Sequence, residues 1–167
     1  ASIEGVDAVF GSKEKFSIHN IIKEFHKIET PQIHVSDLAE VEFVESFSSD
    51  NDSRSRAFLK LQDGCNYNCS FCTIPMARGK SRSDTIANVV AHAKELALKG
   101  VKEIVLTGVN LGDFGINETV SDAGIKRNET FFQLIQQLEQ VEGMERYRIS
   151  SIEPNLLTND IIAFVAG

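Results

Sequence analysis

The sequence has little cysteine, little proline, no tryptophan and no long apolar run. Only three of its 167 residues are cysteine and three are proline. No stretch approaches the roughly 20 consecutive apolar residues that a membrane-spanning helix needs. No basic-then-apolar leader opens the chain, and the cysteine count is odd. These absences argue against a membrane-spanning, exported or disulfide-stapled protein, so we expect a cytoplasmic one.

Positive charge is also scarce. The chain carries 17 lysine and arginine residues against 24 aspartate and glutamate residues, which gives a formal net charge of −7. Non-specific binding to nucleic acid depends on Lys and Arg contacts with phosphate, so we do not expect it of the chain as a whole. Any RNA contact has to be local, and the one compact basic cluster is Arg78, Lys80 and Arg82.

What is present is an ordinary globular composition. Hydrophobic residues make up 42% of the chain and charged residues 25%, which suffices for one good core. The sequence opens on Ala1 without a starting methionine and stops at Gly167 in the middle of a helical pattern. We therefore expect a fragment of a longer protein.

The three cysteines form one compact pattern. Cys65, Cys69 and Cys72 are spaced C-x3-C-x2-C, and thiolates this close on one loop can face a single inorganic core. A closed iron–sulfur cluster takes four cysteine ligands, so three leave one iron open to another ligand. Structural zinc also needs four ligands, and no second Cys pair or H-x3-5-H pair follows. Zinc stays open as the less favoured alternative.

A polar run divides the chain. Residues 6–10 predict a short strand, and apolar residues then recur at helical spacing from Phe16 to Ile28. Residues 39–47 alternate in part, as one strand would. The run 46–56 is rich in Ser and Asp and is the best linker candidate, so the domain boundary is placed within it.

From residue 57 onward, strand, loop and helix alternate three times. The predicted strands are 57–62, 103–107 and 146–151. Such alternation is typical of parallel βαβ units, whose functional residues gather at the carboxyl ends of the strands. At that edge stand the cysteine loop and the segments 107–110 and 150–153. A long loop over 108–128, which exceeds the usual connection length, also begins there.

Cap and stop signals bound the predicted helices. The first helix is expected to begin at Ser83 or Asp84 and to end at Gly100. The second is expected to end at Gly143, and Thr158 to cap the third.

The cysteine pattern, with Phe71 before its last cysteine, resembles the signature of the radical-SAM enzymes. In that superfamily a cluster on three cysteines chelates S-adenosylmethionine. The wider run 59–83 resembles the methylthiotransferases within it, most closely the branch that modifies threonylcarbamoyladenosine in tRNA. Three further segments carry the same resemblance: 5–16, 103–110 and 148–153.

The resemblance implies a fold and a domain plan. Residues 57–167 would form the first three βα units of a partial parallel (β/α) barrel of the radical-SAM type. Residues 1–45 would be the tail of an N-terminal α/β domain, joined through the linker 46–56. In the family that domain carries a second [4Fe-4S] cluster on three further cysteines, and this chain contains none of them.

The resemblance also implies cofactor ligands. Cys65, Cys69 and Cys72 would hold a [4Fe-4S] cluster whose fourth iron binds S-adenosylmethionine. Phe71 is expected near the adenine, with packing inside the loop as an equally weighted alternative. Arg78 would contact a cofactor carboxylate or an RNA phosphate.

The ends of the second and third strands supply the other candidates. Gly108 would approach the methionine amino group of the cofactor with its backbone atoms. Radical-SAM enzymes commonly carry Gly-Gly-Glu there; this chain has Thr107-Gly108-Val109-Asn110, so the carboxylate role does not carry over. The remaining candidate cofactor-binding residues are Thr107, Asn110, Ser151 and Glu153.

The implied reaction transfers a methylthio group to C2 of N6-threonylcarbamoyladenosine beside the tRNA anticodon. Its partners would be tRNA, S-adenosylmethionine and an electron donor, without a membrane. The fragment alone is not expected to complete the reaction. Two alternatives stay open: a methylthiotransferase that acts on another tRNA adenosine or on a ribosomal protein, and a non-catalytic zinc-binding module.

Overall fold

The structure is a computed structural model that describes residues 3–23, 27, 30–37, 43, 46–49, 56–121, 124–127 and 129–167. Its contacts divide the chain into two compact units. The first comprises Ala1–Glu42 and Tyr67–Gly79, and the second comprises Phe43–Asn66 and Lys80–Gly167. The segment Tyr67–Gly79, which carries two of the cysteines, is thus grouped with the N-terminal residues, a feature that the sequence did not suggest.

The first unit contains a small parallel sheet. Strand β1 (Ala8–Phe10) pairs with β2 (Gln32–His34), and the ring of Phe10 stacks on that of His34 at 5.2 Å. A 3₁₀ turn (Glu14–Ser17) and a four-residue helix, α1 (Ile18–Ile21), lie between the two strands.

The helix predicted up to Ile28 is therefore wrong in extent, because the described helix ends at Ile21. Residues 24–26, 28 and 29 lie outside the described residues.

The second unit is built on a four-stranded sheet. Strands β4 (Arg56–Lys60), β7 (Glu103–Thr107) and β10 (Arg146–Ile149) are neighbours and run parallel, so the predicted α/β fold with three adjacent parallel strands is confirmed. Strand β3 (Phe47–Ser49) adds an antiparallel edge beside β4.

The predicted linker 46–56 therefore contains a strand. Its residues 50–55 lie outside the described residues, as does most of the strand predicted over 39–47. The domain boundary stays a prediction.

Three helices follow the parallel strands. Helix α3 (Ile86–Leu98) is capped by Thr85, whose hydroxyl accepts a hydrogen bond from the Asn88 N–H. The predicted caps Ser83 and Asp84 are wrong because Ser83 lies in a strand and Asp84 precedes the cap. Gly100 follows α3 with a φ of 84°, as expected for a residue just past a helix end.

Helix α4 (Phe131–Leu138) begins with a capping box formed by Thr130 and Gln133. It ends at Leu138, five residues before the stop predicted at Gly143. Helix α5 (Asn159–Ala166) is capped by Thr158, as predicted.

Several short elements were not predicted. Strands β5 (Gln62–Asp63) and β6 (Arg82–Ser83) pair antiparallel, and β8 (Ile116–Ser121) forms a hairpin with β9 (Gly124–Arg127) inside the predicted long loop. Helix α2 (Ile74–Arg78) follows the cysteines, with Pro75 in its first turn, where the missing N–H is not needed.

The core of the second unit lies between the sheet and helices α3 and α4. It is formed by aliphatic and aromatic side chains that are almost wholly buried: Ala57, Leu59, Leu61, Val89, Ala93, Leu96, Val101, Ile104, Leu106, Leu111, Phe114, Phe131, Leu134, Ile135, Leu138, Val141 and Ile161. Within the described part of the chain, no helix is both long and apolar enough to cross a membrane.

Candidate active site

The cysteine loop begins at a buried acidic turn in the second unit. Asp63 accepts a hydrogen bond from the Gly64 N–H at 2.9 Å, and its carboxylate forms ion pairs with Lys60 (3.6 Å) and Arg82 (3.3 Å). Gly64 has a φ of 73°, a conformation that residues with a side chain rarely adopt. The chain therefore turns sharply just before Cys65.

The end of the cysteine loop, at Ser81, lies in the same unit as its start. The side-chain oxygen of Asn66 accepts a hydrogen bond from the Ser81 N–H at 2.9 Å. The residue after Cys65 is thus tied to the residue before β6. Cys65 itself is half-buried.

The first unit contains the other two cysteines. The Cys72 N–H donates to the Cys69 carbonyl at 3.1 Å, which closes a tight turn around Ser70 and Phe71. Cys69 is exposed and Cys72 is half-buried. Phe71 is 91% exposed, so its ring is not packed inside the loop and is available to a planar ligand.

The chemistry of the three thiols fits an iron–sulfur cluster. None of the cysteines forms a disulfide, none belongs to the buried core, and thiolates are the usual ligands of such clusters. Among the described residues, no group of three or more His, Cys, Asp or Glu side chains is arranged to hold a metal ion. The ligand set Cys65, Cys69 and Cys72 stays a prediction that rests on the donors and their spacing.

The turn after β7 was predicted to contact the cofactor. The Thr107 hydroxyl donates to the Leu59 carbonyl at 3.1 Å. Asn110 is 2% exposed; its Nδ2 donates to Asp113 at 3.0 Å, and its Oδ1 accepts from the Glu153 N–H at 3.1 Å. Both side chains are thus engaged within the protein, and so are the backbone N–H groups of Val109 and Asn110, which donate to Gln62.

Gly108 sits against protein atoms. A Cβ built at this position would lie 2.8 Å from Leu111 Cδ2 and 3.1 Å from Gln62 Oε1. Contacts this short are not tolerated without movement, so the absence of a side chain at Gly108 serves packing within the fold.

The end of β10 is joined to the same turn. The Ser151 hydroxyl donates to the Val109 carbonyl at 3.0 Å, and the Leu111 N–H donates to the Ser151 carbonyl at 2.8 Å. Ser151 and Glu153 are both exposed. The structure therefore brings the candidates at the ends of β7 and β10 together at the carboxyl edge of the sheet.

The three residues of the basic cluster differ in burial and in their contacts. Arg82 is largely buried and bound to Asp63, so it belongs to the turn that starts the cysteine loop. Arg78 ends helix α2 and is exposed, as is Lys80. The predicted ligand contact of Arg78 stays a prediction.

Gln62 is the residue at this edge that the sequence did not single out. It is 1% exposed, and its carboxamide links the start of the cysteine loop to the backbone after Gly108. The available signal was a polar side chain beside the alternating apolar residues Leu59 and Leu61.

Comparison with known proteins agrees with this geometry. Residues 59–114, from β4 to the turn after β7, match the Radical SAM superfamily. A protein of Rickettsia prowazekii named as a threonylcarbamoyladenosine tRNA methylthiotransferase is 37% identical over 96% of this chain and 36% of its own length. A Bacillus subtilis protein of the same name is 37% identical over 96% of this chain and 34% of its own length.

A third relative carries a different name. A tRNA-2-methylthio-N(6)-dimethylallyladenosine synthase of Clostridium botulinum is 31% identical over 96% of this chain and 34% of its own length. The chain spans about a third of the length of these curated relatives.

The parallel α/β sheet, the cysteine motif that follows β4 and β5 along the chain, and the matched segment identify a radical-SAM protein. Within that superfamily, the chain belongs with the methylthiotransferases, which confirms the family resemblance seen in the sequence.

Proposed function

We propose that this chain binds a [4Fe-4S] cluster and S-adenosylmethionine for the methylthiolation of C2 of an adenosine in tRNA. The observation that carries the proposal is the C-x3-C-x2-C motif that directly follows β4 and β5, within a segment that matches the Radical SAM superfamily. A tRNA substrate and reduced thiols both suit the cytoplasm.

Cys65, Cys69 and Cys72 would hold three irons of the cluster. When bound, the cluster would supply one electron to S-adenosylmethionine, whose C–S bond then breaks to give methionine and a 5′-deoxyadenosyl radical. The protein contributes binding, orientation and exclusion of water. The backbone at Gly108–Asn110 and the exposed Ser151 and Glu153 would bind the cofactor at the sheet edge. The exposed ring of Phe71 suits the adenine, since aromatic faces stack well.

We further propose N6-threonylcarbamoyladenosine as the modified base. Two relatives at 37% identity carry that base in their names, whereas the dimethylallyladenosine enzyme is 31% identical. The test is to delete the corresponding gene in the source cell and to measure tRNA nucleosides by mass spectrometry. Loss of the methylthio group from threonylcarbamoyladenosine alone supports the proposal; loss from dimethylallyladenosine alone contradicts it and favours the other branch.

We expect the chain alone to catalyse only part of the reaction. Its three cysteines suffice for one cluster, so a second cluster and the sulfur it handles need ligands from outside these 167 residues. We therefore expect the chain to cleave S-adenosylmethionine when reduced, and not to methylthiolate tRNA.

The cluster is tested by anaerobic reconstitution with iron and sulfide. The expected result is about four irons per chain, a brown chromophore, and 5′-deoxyadenosine after reduction with S-adenosylmethionine. Cys69→Ala should lose the chromophore and the product together. Ser70→Ala is the matched control, because it changes an exposed side chain in the same loop without removing a thiol.

A colourless chain that binds one zinc would contradict the radical-SAM function. That result would favour the zinc-binding module. A chromophore that survives Cys69→Ala unchanged would contradict the three-thiolate site.

A further inference from the structure

Gln62 is a buried carboxamide at the entrance to the cysteine loop. It begins β5 and pairs in register with Ser83 of β6. Its side chain is enclosed by the protein, although the pattern of the preceding strand would be served equally well by an apolar residue. A buried amide is costly unless its hydrogen-bonding groups find partners, so the partners explain its presence.

The donor side of the carboxamide faces the cysteine loop. Nε2 donates to the Gly64 carbonyl at 2.8 Å and to Ser81 Oγ at 2.8 Å, with the Asp63 carbonyl at 3.1 Å. Gly64 directly precedes Cys65, and Ser81 follows the loop. One amide group therefore holds both the beginning and the return of the segment that carries the cysteines.

The acceptor side faces the turn after β7. Oε1 accepts from the Val109 N–H at 2.8 Å and from the Asn110 N–H at 3.0 Å. The reverse orientation of the amide would set Nε2 against these two N–H donors, so the orientation is fixed. Both donor hydrogens and both acceptor positions are in use, and Gly108 makes room by having no side chain.

We propose that Gln62 is a positioning residue that fixes the separation between the start of the cysteine loop, at Gly64 and Cys65, and the Gly108–Asn110 turn, and thereby sets the affinity for S-adenosylmethionine. The inference rests on the proposed function. A ligand that binds the open iron at one end and this backbone at the other depends on that separation. A displacement of an ångström there weakens binding and catalysis steeply.

Two substitutions test the donor and acceptor hydrogen bonds of the Gln62 carboxamide separately. Gln62→Glu keeps the size and an acceptor for Val109 and Asn110, but places an oxygen against the Gly64 carbonyl. Gln62→Met keeps the length and removes both sets of hydrogen bonds. Leu138→Ala is the stability control, because it opens the core in α4 without touching the loop or the turn. Gln137→Met is the composition control on the exposed face of the same helix.

The first readout is S-adenosylmethionine binding to the reconstituted chain, by equilibrium dialysis and by the electron paramagnetic resonance spectrum of the reduced cluster. We expect unchanged iron content in both Gln62 variants, because the three cysteines remain. Affinity should fall about tenfold in Gln62→Glu, on the scale of one lost buried hydrogen bond, and further in Gln62→Met. The shift of the spectrum on adding S-adenosylmethionine should shrink accordingly. Leu138→Ala should lower the melting temperature and leave affinity and spectrum unchanged.

The second readout needs no cofactor. Amide hydrogen exchange at Val109 and Asn110 in the cluster-free chain should be at least about tenfold faster in Gln62→Met than in wild type or Gln137→Met, since the acceptor of both amides is gone. In Gln62→Glu these amides should stay protected, because the acceptor oxygen is kept.

The outcomes distinguish the two hypotheses. A wild-type chain that takes up no iron overturns the proposed function, and unchanged amide exchange in Gln62→Met overturns the coupling by Gln62 with or without iron. Wild-type affinity in both Gln62 variants, or a loss no larger than that in Leu138→Ala, overturns the positioning role while the proposed function stands. If Gln62→Met does not fold, Gln62→Glu decides by its affinity.

Discussion

At Gly108, a methyl group would meet neighbours inside the protein before it met any ligand. Leu111 and Gln62 occupy the space where a Cβ would stand, and the φ of Gly108 is not in the left-handed region. We expect Gly108→Ala to lower the free energy of unfolding by about 1–3 kcal/mol through overpacking, measured by urea denaturation. In a double-mutant cycle, Gly108→Ala should lower the free energy of unfolding by less in a Leu111→Ala background than in the wild-type chain, because the clashing side chain is gone. Strictly additive losses would contradict the steric account.

Tyr147 of β10 makes the stability of the second unit depend on pH. Its hydroxyl is buried without a hydrogen-bond partner among the described residues, and burial, with the charge of Glu139, raises its pKa to about 12. The unfolded value is about 10. The folded state therefore favours the neutral phenol, and the free energy of unfolding should fall as pH rises from about 10 to about 12.

Tyr147→Phe tests this account. The variant should lack the decline above about pH 10, seen as a shallower slope than wild type in urea unfolding across that range. At about pH 7 it should be as stable as wild type or up to about 1 kcal/mol more stable, because no hydrogen bond is lost and an unpaired buried group is removed. A clear loss of stability at neutral pH would show that the hydroxyl has a partner.

At this scale, the sequence could predict residues with a distinctive chemistry or spacing. Cys65, Cys69 and Cys72 stand out by count, and Gly108 by its place after a strand. Gln62 and Asp63 do not, because their roles depend on partners that the fold supplies: Val109 and Asn110 are 47 and 48 residues away from Gln62, and Arg82 is 19 residues away from Asp63. No local pattern encodes such pairs.

Ion pairs of Glu103 link three neighbouring strands, β4, β7 and β10. Glu103 opens β7 and is 13% exposed; it forms ion pairs with Arg56 of β4 at 2.9 Å and with Arg146 and Arg148 of β10 at 3.5 and 3.8 Å. The arginines are about half-exposed, so each pair is screened by solvent and contributes little alone.

Glu103→Gln should lower the free energy of unfolding by about 1 kcal/mol, because it leaves three arginines close together without their shared anion. The measurement is urea denaturation at low and high salt, and the difference from wild type should shrink at high salt. Glu95→Gln is the control. Glu95 forms an ion pair with Lys99 on the exposed surface of α3, and the hydrogen bond from Lys99 lowers the pKa of Glu95, so we expect a smaller loss there. An equal loss in both variants would contradict a shared role for Glu103.

Helices and strands whose apolar residues recur at a regular spacing were predicted well, whereas very short strands were not. Strands β4, β7 and β10 and helices α3, α4 and α5 follow from alternating or helical apolar patterns and from caps such as Thr158. The pairs β5–β6 and β8–β9 have too few residues on each face, or too polar a sequence, to show a period. In the first unit, the apolar stripe after Phe16 overstated the helix, because spacing alone does not say where a helix ends.

On the scale of the whole molecule, the two compact units hold different parts of the cysteine loop. Cys65 belongs to the unit with the large sheet, and Cys69 and Cys72 belong to the unit with β1 and β2. The sequence located the loop and the parallel sheet because both have local signatures. It did not indicate the grouping of Tyr67–Gly79 with the N-terminal residues, since that depends on contacts such as the Ser12 hydroxyl with the Ala77 carbonyl, 65 residues apart.

Net charge sets the expected affinity of the chain for RNA. The total of −7 opposes phosphate, and of the basic cluster only Arg78 and Lys80 are exposed, since Arg82 is bound to Asp63. We expect tRNA binding to be weaker than about 10⁻⁵ M at physiological salt, and the slope of log K against log salt to be no steeper than about −2, because each neutralised phosphate contributes about one.

Fluorescence anisotropy with labelled tRNA across a salt series measures both quantities. The double variant Arg78→Ala, Lys80→Ala should remove most of the remaining salt dependence, whereas Lys94→Ala on the exposed face of α3 should leave it unchanged. Sub-micromolar binding or a much steeper slope would mean that this chain carries an RNA-binding surface of its own. The weak binding and shallow salt dependence that we expect would show that these 167 residues carry no extended RNA-binding surface of their own.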